Sequence, residues 1–141
     1  MRAWVYRTKG KPADVLRRED DYPKPEPSAT QVLVRVNAAS FNPVFWKVMG
    51  TPPMKYMQTT PAVPEGDFAG TVEGGNLEGT GLKVGDEVFG LVPAQQSMKD
   101  GKGALAEYLV VDRDVVVKKP SNVSFEEAST FPLTTFTAYW A

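Results

Sequence analysis

The sequence predicts a mainly β fold, a small barrel or sandwich that carries a few short helices. Glycine and proline occur 12 times each among 141 residues, which indicates many turns. Short strand-like runs follow one another between these turns, without the alternation of strands and long helices that marks a parallel sheet. Apolar residues make up 42% of the chain, enough for one domain to bury a core.

The first strand candidates are residues 3–6 and 31–37. In the second run, Val32, Val34 and Val36 fall on one face, and this period of two predicts a half-buried strand. The proline-rich stretch between the two runs predicts a loop, because proline cannot donate to a strand ladder.

A short helix is predicted over residues 43–49. Asn42 is a favoured N-cap residue, and Pro43 is favoured at the first helical position. Gly50 and the prolines after it end the helix. Residues 50–64 then predict an irregular surface segment, because proline recurs there between apolar side chains.

Strand signals resume after this segment and continue to the last predicted helix. A glycine-rich turn and a Val-Gly-Asp-Glu turn separate the first two strands. Asp112, Arg113 and Asp114 predict a hairpin-like connection between the last two. The predicted strands cover residues 68–73, 88–92, 104–111 and 115–118.

The final segment predicts helices. Ser124 and Glu127 have the spacing of a capping box, which predicts a helix that starts at Phe125. Pro132 interrupts this helix, and an amphipathic helix face follows, formed by Leu133, Phe136, Thr137 and Trp140. No capping signal ends that second helix before Ala141, so we expect the sequence to be cut inside an element, as in a fragment.

Composition excludes several kinds of site. The chain has no cysteine and no histidine, which excludes disulfides, thiolate nucleophiles, imidazole bases and conventional zinc sites. The net charge of −1 gives no attraction to nucleic acid or to an anionic membrane. No membrane span or signal peptide is indicated, so a cytoplasmic protein is the expectation.

Two weaker patterns favour turns over chemistry. The glycine-rich residues 79–85 are close to a phosphate-binding fingerprint, but they lead into a strand where that mechanism needs a helix. Turn glycines are therefore the better interpretation. Asp67, Asp86 and Glu87 are acidic candidates for catalysis, and solvated turn acids are again the favoured alternative.

Lys47 and Thr137 each allow two interpretations. Lys47 has apolar neighbours in sequence that would partly desolvate its ammonium, yet from composition a side chain reaching into solvent is favoured. The Thr137 hydroxyl could bond to its own helix backbone or be aimed at a ligand.

Five motifs along the chain together resemble one protein family. In order they include Ala-Ser-Phe-Asn-Pro, Gly-Asp-Phe-Ala-Gly, Val-Gly-Asp-Glu-Val, Ala-Glu-Tyr and Thr-Ala-Tyr, within residues 38–47, 64–72, 83–90, 103–108 and 124–140. On these motifs the chain resembles the N-terminal, GroES-like catalytic domain of zinc-independent medium-chain dehydrogenase/reductases. The quinone oxidoreductases and enoyl reductases form this branch.

The resemblance implies a partly open, GroES-like β-barrel over residues 1–123 and a helical segment over residues 124–141. In the family that segment leads into a Rossmann domain, which this sequence lacks, so the chain alone should bind NADP(H) poorly and be inactive. Zinc-dependent relatives carry Cys near Asn42 and a His-Glu pair where this chain has Asp67 and Phe68. The resemblance therefore implies no metal.

It also implies roles for three residues. Asn42 and Thr137 would hydrogen-bond the nicotinamide amide or the substrate carbonyl, and Lys47 would stabilise or protonate the enolate that follows hydride transfer. The chain departs from the family at Phe45, where an aspartate is common, and at Glu65, where a small residue is usual.

The implied function is NAD(P)H-dependent reduction of a quinone or an activated C=C bond in a small-molecule substrate. The alternative is a non-catalytic module that dimerises or binds a partner. Exposed aromatic residues of the last helix would make a homodimer plausible under either interpretation.

Overall fold

The protein folds into two antiparallel sheets and five short helices. The computed structural model describes residues 1–141, except the side chain of Gln95. The strands are β1 Ala3–Tyr6, β2 Leu16–Glu19, β3 Gln31–Ala39, β4 Asp67–Gly75, β5 Glu87–Leu91, β6 Tyr108–Asp112 and β7 Val116–Lys118. The helices are α1 Pro12–Val15, α2 Pro43–Gly50, α3 Ala94–Asp100, α4 Phe125–Thr130 and α5 Pro132–Trp140, with 3-10 turns at Met54–Tyr56 and Arg113–Val115.

The core lies on the inner face of the five-stranded sheet. The predicted alternation in β3 is confirmed, because Val32 and Val34 are fully buried, whereas Leu33 between them is partly exposed and Arg35 after them is exposed. β4 is buried along most of its length, which explains its near-continuous run of apolar and small residues. The central apolar cluster contains Val32, Val34, Phe68, Val72, Val88, Val92, Leu109 and Val111.

The larger sheet has the strand order β6-β3-β4-β5-β7 and must curl. In a flat sheet its two edges would lie about 19 Å apart. The four-residue step from Asp112 to Val116 spans at most about 14 Å. The three-residue turn Arg113–Val115 that joins β6 to β7 therefore brings the two edges towards each other. The result is the partly open barrel that the family resemblance implied.

This connection corrects the predicted hairpin. β6 and β7 do not pair with each other, because β6 pairs with β3 and β7 pairs with β5. Asp112 to Asp114 has the composition of a hairpin turn, yet the turn crosses the opening of the barrel. Turn residues determine where the chain changes direction, whereas contacts with β3 and β5 determine how β6 and β7 pair.

The strand predicted from residue 104 begins only at Tyr108. Residues 104–106 instead run between the two sheets. Ala104 N–H donates to the carbonyl of Glu65 at 2.9 Å, and the carbonyl of Leu105 accepts from Trp4 N–H at 2.8 Å. This segment packs so closely that a Cβ on Gly103 would lie within 3.0 Å of three consecutive backbone carbonyl oxygens, those of Val63, Pro64 and Glu65.

The predicted capping box is confirmed at the start of α4. Glu127 N–H donates to Ser124 Oγ at 3.1 Å, and Ser124 N–H donates to a Glu127 carboxylate oxygen at 2.9 Å. α4 then packs on β3 and β4 and buries Ala128. Pro132 begins α5, as the interruption predicted.

The aromatic side chains of α5 project into solvent. Phe136, Tyr139 and Trp140 are 58%, 83% and 72% exposed. Phe136 and Trp140 pack against each other, with ring centroids 6.0 Å apart. Across the described chain, no helix combines the length and the apolar character needed to cross a bilayer.

Candidate active site

Asp67 joins three separate parts of the fold. It is the first residue of β4 and is completely buried. One carboxylate oxygen accepts from Asn42 Nδ2 at 2.9 Å and from Ser40 Oγ at 3.1 Å. The other accepts from the backbone N–H of Leu133 at 2.9 Å. The end of β3, the start of α2 and the start of α5 therefore meet at this side chain.

Burial raises the pKa of the Asp67 carboxyl above its usual value. The hydrogen bonds from Asn42, Leu133 and Ser40 oppose this shift, because they stabilise the charged form. Sequence reasoning favoured a solvated turn acid here, and that interpretation is wrong. The signal that pointed to burial was the run of apolar and small residues that begins directly after Asp67.

Asn42 occupies the predicted N-cap position of α2, but its side chain does not cap the helix. Its Nδ2 is directed at Asp67 instead, and its backbone N–H donates to the Glu65 carboxylate at 2.9 Å. The N-cap expectation for this side chain is therefore corrected. The first turn of a helix presents only N–H donors, whereas the Asp67 carboxylate is an acceptor for the Asn42 amide N–H.

Glu65 combines two unfavourable features. Its φ of 67° is in the left-handed region, which side chains other than glycine rarely adopt. Its side chain is also buried, with 4% exposure. Burial, opposed by the Asn42 N–H and reinforced by the nearby charge of Asp67, raises the pKa of Glu65 to about 7. This residue was noted in the sequence only as a departure from the family pattern.

A cavity of about 280 Å³ adjoins Asn42 and Glu65. It lies between α1 and α2 and is closed on a third side by the segment around residue 105. Apolar side chains form most of its wall, among them Leu16, Phe41, Trp46, Met49 and Leu105. Such a cavity suits a small, largely apolar molecule with one polar group, since ligand sites are mostly apolar with few polar groups.

The structure places Lys47 and Thr137 differently from Asn42. Lys47 is exposed on α2, and its Nζ lies 5.6 Å from the centre of the Trp46 ring, so its side chain reaches solvent. Thr137 is exposed on α5, and its Oγ1 donates to the carbonyl of Leu133 at 2.7 Å. Asp67 thus links Asn42 to the helix that carries Thr137. Within the described hydrogen bonds and ion pairs, Lys47 is not joined to either residue.

The glycine-rich turn behaves as predicted. Gly79, Gly81 and Gly85 all have positive φ, as turn glycines do, and the segment leads into β5. The carboxylate of Asp86 accepts from Lys83 N–H at 3.1 Å and from Lys118 Nζ at 3.2 Å. These contacts give Asp86 a role in fixing the turn.

The raised pKa of Glu65 predicts a loss of stability as pH increases. The unfolded chain releases this proton near pH 4.5, whereas the folded protein holds it to about pH 7. Unfolding therefore releases a proton between these values, and the free energy of unfolding falls through this window. The raised pKa of Asp67 acts in the same direction.

Glu65→Gln removes the Glu65 contribution. We expect the stability of this variant relative to the parent to grow by roughly 3 kcal/mol between about pH 4 and about pH 8. Urea denaturation at a series of pH values measures the difference. If the free energy of unfolding of the two proteins changed with pH in the same way, Glu65 would not have a raised pKa in the folded protein.

Comparison with known proteins places this arrangement in a family. The family model described as the alcohol dehydrogenase GroES-like domain matches residues 28–121. The chain is 40% identical to 2-methylene-furan-3-one reductase of Solanum lycopersicum over 99% of the chain and 36% of that protein. It is 37% identical to the chloroplastic NADPH-dependent alkenal/one oxidoreductase of Arabidopsis thaliana over 98% of the chain and 36% of that protein.

Among solved structures, the quinone oxidoreductase from Coxiella burnetii matches with a TM-score of 0.84 and 29% identity. The match covers 99% of this chain and 43% of that one. The chain thus spans 36% of the length of the two curated relatives named above.

Proposed function

The chain belongs to the GroES-like domain family of the medium-chain dehydrogenase/reductases, and from this premise we propose that it is the catalytic domain of a zinc-independent, NAD(P)H-dependent reductase. Its substrate would be a quinone or an activated C=C bond in a small molecule. The observation that carries the proposal is the Asp67 hydrogen-bond cluster, which brings Asn42 to the helix bearing Thr137. The names of the relatives support the same class of reaction.

The polar groups present suit a nicotinamide amide. The Asn42 Nδ2 is engaged by Asp67, so its Oδ1 is the atom available to accept from an amide N–H. The Thr137 hydroxyl donates to Leu133 and keeps lone pairs that can accept. The exposed ammonium of Lys47 is a donor for a carbonyl. When bound, the cofactor supplies a hydride.

Lys47 is proposed to act on the substrate oxygen. A cation stabilises the negative charge that develops on this oxygen in the transition state, and it can deliver the balancing proton. The sequence has no cysteine or histidine to bind a zinc ion. We therefore propose that the Lys47 ammonium polarises the substrate oxygen in place of zinc. This is the basis for proposing zinc independence.

We also propose that the domain acts together with a separate nucleotide-binding domain. Its relatives are about three times as long as this chain, which matches 36% of their length. The chain alone is then expected to bind NADPH weakly and to turn over little substrate. A fluorescence titration with NADPH tests this, and micromolar binding by the chain alone would contradict it.

Lys47→Ala is expected to reduce turnover by about tenfold or more. The assay uses a chimera in which this chain replaces the matching 36% of the Arabidopsis alkenal/one oxidoreductase. Loss of NADPH absorbance with an enone substrate measures the rate. Lys55→Ala is a matched control, because Lys55 also stacks on an adjacent aromatic ring, that of Tyr56, at 5.0 Å. Equal rates for both variants and the parent would remove Lys47 from the mechanism.

A second candidate function follows from the exposed aromatic residues of α5. Phe136, Tyr139 and Trp140 form an apolar surface of the kind that mediates protein association. On this alternative the domain is a non-catalytic module that forms a homodimer. Size-exclusion chromatography with light scattering distinguishes the two, because a defined dimer without reductase activity in the chimera favours the module.

A further inference from the structure

The cavity beside α2 has one acidic side chain and the Asn42 amide in a wall that is otherwise apolar. Trp46 and Met49 from α2, Leu16 from β2 and Leu105 from the opposite segment supply apolar surface. Glu65 also lines the cavity and accepts from the Asn42 N–H. A ligand with an apolar body and one oxygen atom would match this distribution of surface.

Glu65 is a costly residue for this position. Glycine takes a φ of 67° without strain, and an apolar or small side chain could be buried here without desolvating an acid. Among the described contacts, the Glu65 side chain makes one hydrogen bond, which its Oε2 accepts from the Asn42 N–H. Backbone strain and a buried acid at the edge of a cavity are features that commonly mark a functional residue.

The second carboxyl oxygen of Glu65, Oε1, is the atom available to a ligand in the cavity. Among the described contacts, Oε1 receives no hydrogen bond, and Glu65 lines the cavity. We propose that Glu65 donates a hydrogen bond to the carbonyl oxygen of an α,β-unsaturated ketone or quinone whose apolar part lies between Trp46, Met49 and Leu105. The choice of a carbonyl ligand rests on the proposed function.

The charge state of Glu65 then controls binding. With a pKa of about 7, it holds its proton in mildly acidic solution and loses it in mildly basic solution. Asp67 on β4 is the neighbouring acid that acts on it. From α1, β2, α2 and the segment around residue 105, the cavity wall presents apolar side chains and the Asn42 amide. A carboxylate would repel a carbonyl oxygen, so affinity falls as pH increases.

Binding is tested on the chain without cofactor. Trans-4-phenyl-3-buten-2-one is the probe, and trans-1-phenyl-1-butene is the matched hydrocarbon that lacks the oxygen. Amide and indole chemical shifts of Trp46 and Leu105 report on the cavity. We expect the dissociation constant of the ketone to increase about tenfold from pH 6 to pH 8, as the fraction of protonated Glu65 falls, and that of the hydrocarbon to stay constant.

Two variants separate the carboxyl from the fold. Glu65→Gly relieves the backbone strain and should abolish the preference for the ketone over the hydrocarbon. Glu65→Gln keeps a donor that does not titrate, so it should bind the ketone equally at both pH values. An unchanged ketone preference in Glu65→Gly, a pH-independent affinity in the parent, or shifts confined to residues outside the cavity would each overturn the proposal.

These outcomes are independent of catalysis. A ketone that binds in a Glu65-dependent way, combined with an inactive chimera, would support this site and contradict the proposed reductase function. If the chimera is active but the unmodified domain binds ketone and hydrocarbon equally, the reductase function is supported and the Glu65 site is contradicted.

Discussion

Asp67→Ala is expected to lower the free energy of unfolding by about 3 kcal/mol and to release the start of α5 from the barrel. The substitution leaves the amide of Asn42, the hydroxyl of Ser40 and the N–H of Leu133 without their shared acceptor. Each buried donor left unpaired costs about 1–3 kcal/mol. Removal of a buried acid, whose pKa is raised by desolvation, offsets part of this loss.

Urea denaturation measures the stability of the variant, and hydrogen exchange at Leu133 measures the release of α5. Glu73→Ala is the matched control, since Glu73 is an acid on the same strand that forms an exposed ion pair with Arg35 at 2.9 Å. We expect this control to cost less than about 1 kcal/mol. Similar losses for both variants would mean that Asp67 does not hold the three elements together.

Gly103→Ala is expected to have an effect of similar size through a different cause. Its Cβ would collide with the backbone carbonyl oxygens of Val63, Pro64 and Glu65. Backbone atoms on both sides are fixed by hydrogen bonds, including Ala104 N–H to Glu65 at 2.9 Å. Because no flexible side chain can move aside, we expect a loss of about 3 kcal/mol or more, measured by urea denaturation.

Gly74→Ala provides the comparison for this variant. Gly74 lies in β4, and a Cβ there would meet no atom within 4 Å. We expect a change within about 0.5 kcal/mol, because the added methyl group meets open space. The collision at Gly103 would also displace Glu65, so weaker ketone binding in Gly103→Ala is a second expected result. Two equally tolerated variants would contradict the close packing of this segment.

Local patterns in the sequence were enough to predict most of the elements. The alternation of Val32 and Val34 predicted β3, and Ser124 with Glu127 predicted the start of α4. Both signals act over a few residues, so they do not depend on the rest of the fold. The barrel was predicted from the five family motifs. Turn composition and strand length alone left the choice between a barrel and a sandwich open.

Contacts between distant residues account for the errors. The pairing of β6 with β3 and of β7 with β5 depends on strands far away in sequence, so the composition of residues 112–114 was misleading. The amide of Asn42 prefers a carboxylate 25 residues away to its own helix. The burial of Glu65 and Asp67 follows from the same cause. A single sequence gives little sign of which distant groups will meet.

Lys47 and Thr137 show a related limit. Family resemblance assigned both to the site, and the structure places both side chains on exposed surfaces of α2 and α5. The Lys47 ammonium reaches solvent, and the Thr137 hydroxyl donates to its own helix backbone on an exposed face. Their proposed roles therefore depend on a ligand or on a neighbouring domain to complete their surroundings.

The hydrogen bond from Leu133 to Asp67 also determines how α5 can be used. The first turn of a helix carries a partial positive charge and often holds the phosphates of a nucleotide. In α5 an internal acid already occupies that end. A pyrophosphate brought to the same place would compete with a carboxylate of its own sign. Phosphate binding at this end is disfavoured for that reason, and the dipole of α5 serves to fasten the helix to its own barrel.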